Sequence, residues 1–441
     1  MARNESISTA RTPLPEGTVP VAVGLFIAGV CSFAFFKVGV VALGSKEAFK
    51  PVVSMWFATF ALAPGLFLPL EQELGRALSA RRALGQGGRA VLLKVLTLGA
   101  VLAGMAVIAL IAVGPWLAND YFGGDWVMVA ALALSIVCYA PTHLSKGICS
   151  GSGRFRSYAV VLGADGVVRI LFCLLLAAIG VTAVGWYGMA VAVAPLVGVI
   201  AVGAKGQLRT DVGPPADWKE VTPNLGWLLL GSLMAAGLVN AGPIATSVLA
   251  DDNDALVTNF AYGVILARIP LFLFQAVQAA LLPRLSRLAA AGEMTEFRVG
   301  FRKLLNVVIG VGVLGTVGAW VLGPLAVRIM YNGAELSRRT LAVLALGSAF
   351  YMLGLAISQA VLALHGHAQV ALGWSVGMVS FIVTTSLMNG EVFRRVELGL
   401  LAGSLAAMVV FALALRGRLR AGAVPDAESL LVALTDMPFE S

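Results

Sequence analysis

The stretch KGQLRTDVGPPADWKEVTP, Lys205–Pro223, is the one long polar break in the middle of the chain. Hydrophobic runs of about 20 residues flank it on both sides, each long enough to cross a bilayer as a helix. Roughly six such runs precede it and roughly six follow. The polar stretch is read as the connection between two membrane-embedded halves. The expected organisation is a polar cytoplasmic tail over 1–18, a first six-helix bundle over 19–204, a cytoplasmic linker over 205–223, a second bundle over 224–415 and a cytoplasmic tail over 416–441.

Composition fixes the class. The 441 residues are 59% hydrophobic and only 12% charged, with a mean hydropathy of +0.90. Soluble domains carry about 25% charged residues, and a chain this long would still expose much of its surface to water if it folded there. The expected fold class is an all-α polytopic membrane protein, with about 12 transmembrane helices in two parallel bundles. The run Val19–Leu43 is too long for a signal-peptide core and reads as a retained first helix.

The net charge of +8 fits basic cytoplasmic loops better than nucleic-acid binding. With the N-terminus placed in the cytoplasm, 21 of the 31 Lys and Arg residues fall on inner segments and 7 on outer ones. That asymmetry places both termini in the cytoplasm. Cys31, Cys138, Cys149 and Cys173 sit in or beside expected spans, so no structural disulfide is expected. The histidines form no zinc pattern with them, and no metal or cofactor is expected beyond proton or sodium coupling. Gly151-Ser152-Gly153 lacks phosphate-loop spacing, and no nucleophile motif is present, so the chain does not read as an enzyme. Glu71 and Glu73 border a basic segment after the second span, where ordinary ion pairing is expected. Ser145–Ser157 reads as a basic, Gly-rich loop between spans four and five.

An internal repeat supports the division. Gly114-Pro115 ends the third span, with Phe122 and Gly124 beyond it; Gly323-Pro324 ends the ninth, with Tyr331 and Gly333 beyond it, all at one offset of 209. An even number of spans per half makes the halves parallel, related by an axis along the membrane normal.

Charges within the spans are the candidates for function, because each costs about 2.5–3.5 kcal/mol to insert and normally faces a cavity or a partner. Lys37, Asp165, Arg169 and Arg268 qualify. Asp165 and Arg169 are spaced i, i+4 and share a helical face, either neutralising each other or lining a cavity with Asp165 as a coupling carboxylate. Lys37 lies near the outer end of its span, where it can snorkel. Arg268 lies deeper, two residues before Pro270 and in line with Gln275 and Gln278; Asn240 adds a polar group to span seven. A guanidinium in such a polar stripe suits a phosphate, which it can grip with two parallel hydrogen bonds.

Three segments carry a family resemblance: PLEQELGRAL after the second span, GSGRFRSYAVVLGADGVVRI across spans four to five, and ARIPLFLFQAVQAALLPRLSRLA in span eight and its exit. With the twelve-span length, they resemble the multidrug/oligosaccharidyl-lipid/polysaccharide (MOP) exporter superfamily, in particular its O-antigen (Wzx-like) polysaccharide flippases. The resemblance implies a V-shaped pair of bundles around a central cavity and a polyprenyl-diphosphate-linked oligosaccharide as cargo, with Lys37 and Arg268 holding its diphosphate. Membrane lipids, and a polysaccharide polymerase or glycosyltransferases, are the partners it implies. The alternatives are an ion-coupled exporter of drugs or metabolites on the same architecture, a major-facilitator transporter and a non-transporting scaffold.

Overall fold

The computed structural model describes residues 17–221, 224–250, 254–271, 274, 285, 288–289, 292–331 and 336–420. These residues form helices and no strand: α1 Thr18–Leu43, α2 Lys46–Ala83, α3 Arg89–Ala112, α4 Trp126–Gly151, α5 Phe155–Ala178, α6 Val184–Ala204, α7 Leu225–Leu249, α8 Asp254–Ala267, α9 Met294–Met330, α10 Arg338–Ala363, α11 His367–Leu387 and α12 Val392–Arg420. All but α8 are long and apolar enough to cross a bilayer. The chain is a multi-pass membrane protein.

Helix ends follow local chemistry. α1 stops at Gly44, whose left-handed φ of 81° turns its N–H back onto the Val41 carbonyl. The Ser45 hydroxyl then accepts from the Ala48 N–H and starts α2, with Glu47 in the first turn. Several helices outrun their hydrophobic spans. α2 continues thirteen residues past Leu70, through EQELGRALSARRA, because Glu, Leu, Arg and Ala all favour helix whether or not lipid surrounds them. α4 likewise runs to Gly151, so the start of the expected Ser145–Ser157 loop is helical instead. Close packing explains it: a Cβ on Gly147 would lie 2.7 Å from the Glu71 carbonyl oxygen, and one on Gly151 2.7 Å from that of Gly75. Small residues one turn apart let the two backbones meet.

Each half repeats one packing scheme. The pairings α1–α5, α2–α4, α3–α4, α4–α6 and α5–α6 recur as α7–α11, α8–α10, α9–α10, α10–α12 and α11–α12. The principal contacts between the halves run through α2, which packs along α7 and against α8. On the side away from the linker this seam is sealed. Ser54 and Ser247 share a hydroxyl hydrogen bond of 2.8 Å, the Tyr121 hydroxyl donates to the Ser54 carbonyl, and Thr258 donates to the Lys46 carbonyl. Tyr262 stacks on Tyr331 at 3.9 Å, with Phe33 and Phe36 of α1 against the pair.

The linker is strapped to the first half. The Arg81 guanidinium donates to both Glu220 carboxylate oxygens and to the carbonyls of Gly87, Pro214 and Pro215, all within 2.8–3.1 Å. Arg76 reaches the Glu220 carbonyl, Lys94 lies 4.5 Å over the Trp218 ring, and Arg154 donates to the carbonyls of Gln207 and Arg209.

Candidate functional site

The seam centre begins with a proline. Pro64 in α2 has no N–H, so the Phe60 carbonyl one turn earlier loses its helical donor. The Asn240 side chain of α7 supplies one instead, its Nδ2 donating to that carbonyl at 2.9 Å. Its Oδ1 in turn accepts from Arg268 Nη1 at 3.1 Å. Arg268 follows α8 where the helix breaks, two residues before Pro270. It is only 9% exposed, and its guanidinium lies 5.5 Å over the Phe57 ring of α2. Among the described residues no carboxylate forms an ion pair with it. It borders a cavity of about 30 Å³, shared with Ser348, Tyr351 and Ser404, which has room for a water molecule or two. The result is a buried cation at the junction of the halves, with its charge not cancelled locally by an acid.

A second polar centre fills the first half. Arg169 of α5 is 2% exposed; it donates to Asp165 one turn earlier and, at 3.0 Å, to the Tyr139 hydroxyl of α4. That hydroxyl donates to the other Asp165 oxygen at 3.1 Å. The guanidinium lies 4.5 Å over Trp56 and 5.5 Å over Phe60 of α2. One turn of α2 thus carries Arg169 on one flank and Asn240 with Arg268 on the other. Toward the linker, Glu71 of α2 is buried among three partners: His143 Nδ1 at 2.7 Å, Lys146 Nζ at 2.8 Å and the Tyr158 hydroxyl at 2.8 Å. Tyr139 and His143 stand one turn apart on α4, ring centres 6.3 Å apart, and join the two clusters.

No protein-family profile matches the chain. Uncharacterized proteins of Mycobacterium tuberculosis and Mycobacterium bovis are 26% identical to it over 288 residues, a match spanning 62% of this chain and 62% of theirs. Among solved structures, an inward-facing multidrug resistance MATE family transporter of the MOP superfamily aligns with a TM-score of 0.67 and 13% identity over 92% of this chain and 95% of that one. MATE in its straight conformation gives 0.69 and 14% over 92% and 95%, and in its bent conformation 0.68 and 13% over 92% and 97%. The fold is that of a MATE transporter. At such identity the likeness fixes the architecture of the MATE fold, and the polar groups of the seam are read from this chain's own residues.

The sequence-derived candidates separate on that fold. Asp165 and Arg169 pair as their spacing requires. Asn240 and Arg268, 28 residues apart, meet through a bond the sequence did not specify. Lys37 lies elsewhere, exposed on an apolar stripe of α1 with Val23, Phe26, Val30 and Val41, and among the described residues it has no bond to Arg268. Gln275 and Gln278 lie outside the described residues. Glu73 pairs with Arg76 at 2.7 Å, the ordinary surface arrangement expected. Glu71 also ion-pairs, with Lys146, but it is buried, and its partners come from α4 and α5. The missed signal is the spacing Tyr139, His143, Lys146, which puts three polar groups on one face once α4 is continued past Leu144. Among the described residues no three His, Cys, Asp or Glu side chains cluster as metal ligands, and all four cysteines are free thiols.

Proposed function

We propose that this protein is a flippase that carries a polyprenyl-diphosphate-linked oligosaccharide from the cytoplasmic to the outer leaflet of a bacterial plasma membrane, with both chain ends in the cytoplasm. The observation that carries the reading is Arg268: a buried guanidinium at the seam, bonded to an amide and without an acid among its described partners. Such a cation is costly to bury and is stabilised when an anion arrives. A diphosphate fits it, since its oxygens match the guanidinium fork. Lys37, exposed on α1, is the second cation of this reading. A sugar headgroup cannot cross hydrocarbon alone, because its hydroxyls would lose their hydrogen bonds; a polar seam replaces those bonds while the lipid tail stays in the bilayer. The closed far side is consistent with a state that loads from the cytoplasm, and rocking of one half on the other would expose the seam alternately. No covalent step is required.

The test is deletion of the gene followed by lipid analysis. Accumulation of a diphosphate-linked saccharide in the cytoplasmic leaflet, reversed by the wild-type gene and not by Arg268→Ala, is the expected result. Full rescue by Arg268→Ala would remove the diphosphate role.

A second reading, an ion-coupled exporter of drugs or metabolites, is favoured by the partly buried Asp165 carboxylate within the first half and by the multidrug transporter among the structural neighbours. Unchanged lipids with altered drug sensitivity would select it.

A further inference from the structure

We propose that the Glu71–His143–Lys146–Tyr158 cluster is a proton-binding site, with His143 Nε2 as the atom that takes the proton. The inference rests on the transporter reading for its purpose alone; its test needs no cargo.

Three helices build the cluster. Glu71 comes from α2, His143 and Lys146 from α4 and Tyr158 from α5, and both charged groups of the Glu71–Lys146 pair are largely removed from solvent. Desolvating a carboxylate and an ammonium costs several kcal/mol per ion, which apolar side chains of similar size would avoid. Such a cluster therefore asks for a role beyond packing.

Charge counting isolates the histidine. Glu71 and Lys146 cancel, and so do Asp165 and Arg169. A proton on either carboxylate would break an existing pair. A proton on His143 breaks nothing. The carboxylate of Glu71 can only accept, so Nδ1 carries the hydrogen of their 2.7 Å bond. That tautomer leaves Nε2 with its lone pair, and among the described residues no donor occupies it. The step is simple: Nε2 binds H⁺ from water, the neutral imidazole becomes imidazolium, and no other bond changes.

The groups facing His143 are few. They are Glu71 from α2, Tyr139 and Lys146 on its own helix, and Asp165 from α5, with Tyr158 of α5 reaching it through Glu71. The other helices on α4, α3 and α6, bring no titratable side chain to it among the described residues. The Glu71 carboxylate holds Nδ1–H in place, so an imidazolium would keep that bond once Nε2 can reach water.

The position gives the proton something to do. An imidazolium at 143 adds a positive charge facing Asp165, which Tyr139 and Arg169 hold by hydrogen bonds. Arg169 rests on Trp56 and Phe60, and the Phe60 carbonyl holds Asn240, which holds Arg268. Proton occupancy in the first half is thereby linked, contact by contact, to the cation at the seam.

The chain has three histidines. His365 sits in the turn after α10 and His367 opens α11, away from the cluster. His365→Asn with His367→Gln leaves one imidazole; Asn suits the left-handed φ of 60° at 365. Histidine-selective ¹³C/¹⁵N labelling of this full-length protein in nanodiscs reads the protonation of His143 directly. The expected result is one titration of that single imidazole within the scanned range, about pH 4.5 to 9. Lys146→Met should raise the midpoint and Glu71→Gln lower it, each by about a unit or more. If Glu71→Gln fails to fold, Tyr158→Phe keeps every charge, frees a Glu71 oxygen and should raise the midpoint. A His143 signal fixed in one state from pH 4.5 to 9 would overturn the proposal. So would a midpoint indifferent to these neighbours, or a response to sodium at constant pH without any to protons. Loss of the titration leaves the flippase reading standing, and failure of the lipid analysis leaves the proton site standing.

Discussion

Replacing Arg81 with alanine should detach the linker from the first half. The guanidinium makes five hydrogen bonds, one from each of its N–H groups, to Gly87, Pro214, Pro215 and both oxygens of Glu220. Its side chain is 6% exposed, whereas that of Glu220 is 36% exposed. After truncation water can therefore reach the carboxylate and much of the carbonyl edge, and the loss per bond falls in the lower part of the usual range of about 0.5–1.5 kcal/mol. Four of these bonds hold the linker, that to Gly87 being internal to the first half; at about 0.6 kcal/mol each they sum to about 2.4 kcal/mol, equivalent to roughly 60-fold in the population of the undocked linker. Hydrogen exchange across residues 207–221, and tryptic cleavage after Arg209 and Lys219, should both quicken by roughly 60-fold, with exchange in α2 and α5 unchanged. Arg81→Lys should behave nearly as Ala does, because an ammonium cannot span a carboxylate and two carbonyls in one plane. If linker protection in Arg81→Ala equals that of the wild type, the docking energy lies elsewhere and the reasoning is wrong.

Three further outcomes are expected. Arg81 holds the Glu220 carboxyl below the usual carboxylate range, chiefly through its hydrogen bonds; a depressed value makes its docking contribution complete above the free glutamate value of about 4.3 and lost as pH falls through the bound one. Linker exchange, corrected for intrinsic rates, should be flat from pH 8 to 5 and rise below about pH 4; a rise already at pH 6 would contradict the assignment. Asn240→Leu strands both the Arg268 guanidinium and the Phe60 carbonyl, and should destabilise the purified protein by about 2–4 kcal/mol, with Asn240→Asp restoring an acceptor for Arg268; a thermal melt equal to wild type would show that the bridge is dispensable. Cysteines at Ser54 and Ser247, whose hydroxyls are 2.8 Å apart, should form a disulfide in a background lacking the native thiols and stop transport until reduced; transport continuing at full rate in the cross-linked protein would show that the far seam never opens.

The sequence by itself determined the class and much of the architecture. Low charge and long apolar runs leave a chain only one solvent to fold in, and helices are the way to satisfy its backbone there. The pairing of Asp165 with Arg169 was equally legible, because i, i+4 on a helix fixes proximity before any tertiary contact forms. The end of α4 was not legible: hydropathy reports where lipid stops, whereas that helix runs on through charged Lys146 to Gly151. Tertiary structure alone decided the rest. It took Glu71 from an expected loop border into a cluster with His143, Lys146 and Tyr158 drawn from two other helices. It also set Asn240 across from the carbonyl that Pro64 leaves free, and Arg268 against Asn240. Local spacing carries no record of which face of one helix meets which face of another; that is settled when the whole seam closes and each buried donor must find its acceptor.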